Sequence, residues 1–91
     1  MMMMTDLQLL AWCDDNLRYA KSNTGIRGIS FNSQRSMFAV RYNKQHLGEQ
    51  GWLASAFDVL INAYGLYLTA YQQSLAINHL TGGNDDFKPL T

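Results

Sequence analysis

The sequence predicts an α+β fold: an N-terminal helix, then a three-stranded antiparallel sheet packed on a long C-terminal helical region. Three observations carry this. Residues 5–21 open on a capping pattern and repeat apolar side chains every three or four positions, residues 25–48 alternate with period two between turn residues, and residues 51–80 return to helical spacing. A chain of 91 residues is long enough for one small domain with a single modest core. With 47% hydrophobic and 12% aromatic residues, it belongs with ordered globular chains and not with disordered ones. Only 15% of the residues are charged, which for so small a domain points to apolar surface covered by a partner or by a second copy of the chain.

Met1 to Met4 read as a ragged, disordered start without chemistry. Thr5-Asp6-Leu7-Gln8 has the form of a capping box, and good helix formers follow to about residue 21. Leu10, Cys13, Leu17 and Ala20 form the expected buried stripe, with Asp14, Asp15 and Arg18 on the wet side. Ser22-Asn23-Thr24-Gly25 stops the helix. In the sheet, Ile29, Phe31, Phe38, Val40 and Tyr42 share the core-facing side, so Ser30, Ala39 and Arg41 face outward. Asn32 to Ser36 is the first turn, and Asn43-Lys44 is a tight second turn into a brief third strand at Gln45-His46-Leu47. Leu53, Phe57, Leu60, Tyr64, Tyr67 and Tyr71 then lie on one face of a helix reaching about Leu80. Gly65 bends that helix or splits it in two, since glycine costs about 1 kcal/mol relative to alanine inside a helix. Residues 81–91 form a tail in which Phe87, Pro89 and Leu90 are expected to fold back onto the domain.

Most catalytic chemistry is excluded by what the sequence lacks. His46 and His79 are far apart, and the single cysteine supports neither a zinc pattern nor an internal disulfide. Asp14-Asp15 and Asp85-Asp86 read as solvated charge near helix ends. There is no Ser-x-x-Lys pair, no phosphate loop and no dinucleotide fingerprint around Gly25-Ile26-Arg27-Gly28. The expectation is a protein that is not an enzyme, with no cofactor and no metal. Cys13, among Ala11, Trp12 and Leu17 without a basic activator, reads as a buried structural thiol. With no secretory pattern at the start, the expected location is cytoplasmic. The stretch from Val59 to Asn84 has no formal charge, yet Asn62, Gln72, Gln73, Asn78 and His79 make it unsuited to a bilayer. Self-association through this stretch is the reading that remains.

Charge is divided along the chain. Between Arg18 and His46 lie six of the seven basic residues and no acidic residue, although the formal net charge is zero. The sheet's own cations, Arg27, Arg35, Arg41 and Lys44, are expected on a face without a carboxylate to neutralise them. A three-stranded ribbon is narrow enough for a major groove about 12 Å wide, where arginine can present two donors to guanine. A solvated face that keeps the domain soluble is the other meaning of the same charges.

Arg27-Gly28-Ile29, Phe38-Ala39-Val40-Arg41-Tyr42 and His46-Leu47-Gly48, with a later Ala70-Tyr71 and the tail from Gly82 to Phe87, resemble the DNA-binding domain of plant ethylene-response factors and its relatives in phage and homing-endonuclease proteins. The resemblance covers about two thirds of the chain, Ile26 to Asn84, and extends in shape to the arm-binding domains of phage integrases. It implies that Arg27 and Gly28 on strand one, Arg41 on strand two and His46 on strand three approach DNA. Ser30 and Asn32 stand where that family often has basic residues, which removes two potential guanine contacts. The extra N-terminal helix and the longer hydrophobic C-terminal stretch point to protein contacts.

The leading expectation is therefore a small bacteriophage or mobile-element regulator that binds double-stranded DNA as a homodimer. Its DNA-contacting set is Arg27, Gly28, Ser30, Asn32, Arg35, Arg41, Lys44 and His46. The second is a module that grips a host protein, as an inhibitor or adaptor, through Tyr64, Tyr67, Leu68, Tyr71 and Leu75.

Overall fold

The computed structural model describes residues 3–83. Its elements are α1 (Asp6–Asn16), β1 (Ile29–Asn32), β2 (Met37–Tyr42), β3 (Gln45–Gln50), α2 (Leu53–Ala63) and α3 (Ala70–Thr81). The predicted α+β class is observed, with the sheet antiparallel in the order β1-β2-β3. The helix α2 lies on one face of the sheet, and α3 joins α2 to α1 in the layers behind it.

The capping box at the start of α1 forms as read: the Gln8 backbone N–H donates to Thr5 Oγ1, and the Thr5 N–H donates to Gln8 Oε1. The helix is shorter than the spacing predicts. Leu17 is its C-cap, and Arg18 pairs with Ile26 in an isolated antiparallel bridge. Residues 17–28 thus form a loop closed on itself, with the Arg27 N–H donating to Leu17 O at 2.7 Å and the Tyr19 N–H to Gly25 O at 3.1 Å. The buried stripe of α1 is Leu9, Cys13 and Leu17, whereas Leu10 is half-buried and Ala20 exposed.

The sheet alternates as expected. Phe38 and Val40 are buried, Phe31 and Tyr42 partly so, and Ser30 and Arg41 are exposed. Asn43 and Lys44 both have positive φ, 52° and 66°, which is the backbone of a tight turn matched to the twist of a hairpin. The strand β3 runs on past the predicted end at Leu47 to Gln50. Leu47 bulges between the pairs Arg41↔His46 and Val40↔Gly48, after which Glu49 stands opposite Ala39.

The C-terminal region is two helices. After Ala63 the Gly65 N–H donates to Asn62 O at 3.0 Å and the Leu66 N–H to Ile61 O at 3.2 Å. These are the two bonds of a Schellman ending, and they need the φ of +75° that Gly65 supplies. A second capping box, Thr69 with Gln72, starts α3. The stripe predicted along one helix therefore divides. Leu53, Phe57 and Leu60 are core, Tyr64 is half-buried, and Tyr67 and Tyr71 lie beyond the break and are exposed. Burying each large side chain such as Phe57, Leu60 or Ile61 contributes roughly 1.5–3 kcal/mol. The fold-back expected of Phe87, Pro89 and Leu90, and the Asn84 to Phe87 part of the resemblance, lie outside the described residues.

Candidate nucleic-acid interface

The loop before β1 is fastened to that strand's outer edge by side chains. Asn23 Nδ2 donates to Phe31 O at 2.7 Å while its Oδ1 accepts from the Phe31 N–H at 2.9 Å. The hydroxyls of Ser22 and Thr24 both donate to Ile29 O, at 2.6 and 2.7 Å. This anchoring fixes Arg27, whose guanidinium lies 4.3 Å from the centre of the Tyr19 ring in a cation–π contact.

Arg27 and Gly28 precede β1 instead of lying within it, so their expected place on strand one is corrected. The correction does not separate them from Arg41. The Arg41 N–H donates to Gly28 O at 2.8 Å, continuing the ladder beyond the strand. Gly28 has φ +93°, and a Cβ there would meet Arg41 O at 2.7 Å, so only glycine permits this approach. Arg27, Gly28, Arg41, Tyr42, Asn43 and Tyr64 line one cleft of about 260 Å³. Arg41 and Gly28 also border a second cleft of about 420 Å³ on the side of Tyr19 and Lys21.

The other predicted DNA residues are distributed as follows. Ser30 is exposed on the outward side of β1, and His46 pairs across the hairpin with Arg41. Lys44 is exposed at the hairpin tip. Asn32 uses its Oδ1 to accept the N–H groups of Gln34 and Arg35, and so shapes the first turn. Arg35 is not a free cation: its Nη2 is 2.7 Å from Glu49 Oε1. The expected carboxylate-free face is therefore corrected. The reason is the bulge, which carries β3 on far enough to place Glu49 beside the first turn. Lys21, Arg27, Arg41 and Lys44 make no ion pair among the described residues. Lys21 joins this group unforeseen, because α1 ends before it and the closed loop brings it to β1.

The set expected to meet a partner protein does not form one surface. Tyr64 is engaged inside the domain, edge-on to Trp12 at 5.0 Å and to Tyr42 at 4.7 Å between ring centres. Burial, then the neighbouring Tyr42 hydroxyl, pushes the Tyr64 hydroxyl above its ordinary pKa. Leu68 is core at 6% exposure and Leu75 is half-buried, leaving Tyr67 and Tyr71, at 48% and 65%, as the exposed members.

Elsewhere, Cys13 is fully buried and its thiol is pushed up to about 12, chiefly by burial. Asp14 bonds Arg18 and His79, and the Arg18 hydrogen bond followed by that of His79 holds its carboxyl below the ordinary carboxylate range. Among the described residues no three His, Cys, Asp or Glu side chains are grouped to hold a metal ion, and no helix is long and apolar enough to cross a membrane. Comparison with protein-family models, curated proteins and solved structures finds no match to this chain.

Proposed function

We infer that this chain is a non-enzymatic DNA-binding protein that docks the outward side of its β1–β2 ladder and the adjoining loop against a duplex. One observation carries the reading: Arg27 and Arg41 are drawn together across Gly28 while no described carboxylate pairs with either. Lys21 and Lys44 extend the same cationic edge. Phosphate oxygens are the natural counterpart of such a group, and Arg41 beside His46 on the sheet is positioned to reach a base edge.

Lys44 adds independent support. It holds a left-handed backbone, φ 66°, at a turn position where glycine is the easy choice, and strain kept at an exposed cation is a pointer to a role for that cation. The likeness of Arg27-Gly28-Ile29 and of the second strand to the ethylene-response-factor domain agrees with this. The host-protein reading is the weaker one, because Tyr64 and Leu68 are engaged within the domain.

Gel-shift titration of a random-sequence duplex over a salt series tests the proposal. Affinity is expected to fall with salt, and Arg27→Ala and Arg41→Ala are each expected to flatten the log–log slope by about one. Affinity without a salt slope, or slopes unmoved by both substitutions, overturns it.

A further inference from the structure

The loop before β1 and the outward side of that strand enclose a shallow cleft of about 420 Å³, lined among others by Tyr19, Lys21, Asn23, Gly28, Ser30 and Arg41. That volume is within the range of small-ligand sites. Its lining combines one aromatic ring, two cations and the Ser30 hydroxyl. Neither Lys21 nor Arg41 makes an ion pair, and Ser30 makes no side-chain hydrogen bond, among the described residues. The Tyr19 ring is in contact with the Arg27 guanidinium, and the Asn23, Ser22 and Thr24 bonds fasten the loop that carries Tyr19 to β1. The cleft is thus shaped before a ligand arrives, which lowers the ordering cost of binding.

A ligand complementary to this lining has an anionic end for Lys21 and Arg41 and a planar body for the aromatic side. We propose that the cleft seats a single nucleotide, its phosphate between Lys21 and Arg41 and its base toward Tyr19. This goes beyond duplex docking, because a base in the interior of a duplex has both faces stacked and cannot offer one to a tyrosine. The nucleotide is either free or the unpaired end of a strand.

The test is an amide NMR titration of the full chain with deoxyadenosine 5′-monophosphate, deoxyadenosine and inorganic phosphate. The monophosphate is expected to move the amides of Asn23, Ile29 and Ser30 saturably, with the nucleoside and inorganic phosphate each roughly tenfold weaker because each supplies one of two contacts. Lys21→Glu, on an exposed loop position, should weaken the monophosphate by about tenfold, and Ser30→Trp should fill the cleft and abolish the shifts. The remainder of each variant's spectrum verifies that it is folded. Equal response to nucleoside and monophosphate, or an unchanged response in folded Lys21→Glu, overturns the proposal. A duplex with a one-nucleotide overhang, compared with its blunt form, separates the sources: preference for the overhang identifies a strand end, and no preference identifies a free mononucleotide. Salt-dependent duplex binding without nucleotide binding defeats this inference alone, and nucleotide binding without duplex binding defeats the sheet-docking reading alone.

Discussion

The helical layers and the β1–β2 end of the sheet both satisfy their uncharged polar side chains, but they differ in how their charged side chains are partnered. In the helices, Asp6 accepts from Gln72, Asp58 accepts from Gln73 and Asn62, and Asp14 sits between Arg18 and His79. Gln72, a buried amide, also donates to Met4 O at 2.7 Å and so ties the approach to α1 onto α3, which corrects the expected disordered start at Met4, a side chain packed against the core. At the sheet end, Lys21, Arg27, Arg41 and Lys44 have no such ionic partner among the described residues, although Glu49 is close enough to take Arg35. Groups that hold the domain together are satisfied within it, and groups left unneutralised are those available to an outside anion.

This contrast can be broken at several points. The largest effect is expected for Gln72→Ala, which strands Met4 O and removes the bond to Asp6, for a loss of roughly 1–3 kcal/mol in urea unfolding. Thr69→Ala removes the N-cap of α3 and should cost about 1 kcal/mol by the same measurement. If either is neutral, the helical side is less dependent on its polar ties than this contrast requires. Lys44→Gly is the sharpening case. It should raise stability by roughly 0.5–1 kcal/mol by relieving the left-handed backbone, yet flatten the salt slope of duplex binding by about one.

The smallest effect concerns pH. Asp14 has its carboxyl pKa depressed in the folded chain, so its contribution is present above the ordinary carboxylate range and is lost as pH falls through the lower folded value. Thermal unfolding of Asp14→Asn should differ from that of the parent at neutral pH, and the two should converge once the solution is acidic enough to protonate Asp14 in both states.

Local signals were readable wherever the cause was local. The Thr5 to Gln8 capping box, the Asn43-Lys44 turn and the two-residue alternation through Phe38 and Val40 each depend on neighbours in sequence. The Thr69 to Gln72 box carries the same signal, but the apolar spacing of the region runs straight through it. The end of α1 is different: Arg18 to Lys21 are acceptable helix residues, and only the bridge from Arg18 to Ile26 diverts them. That diversion brings Lys21 and Tyr19 to β1, so their part in the site depends on a closure that no spacing announces. The place of Glu49 on the sheet is hidden for a related reason, since Gly48 resembles a strand end but here follows a bulge within the strand. Arg27, Arg41 and Lys44 were legible as cations, whereas the pairing of Arg35 required the tertiary fold.

The bonds from Asn23 to Phe31 have one more consequence. A strand at the margin of a sheet is a template on which another chain can add, and β1 is such a margin. Asn23 offers that backbone one acceptor and one donor, as a neighbouring strand would, while Ser22 and Thr24 occupy the carbonyl two residues earlier. The opposite margin, β3, is interrupted by the bulge at Leu47. Growth of the sheet by edge-to-edge addition is thus obstructed on both sides, and the protein can expose its cationic ladder without inviting copies of itself to polymerise along it.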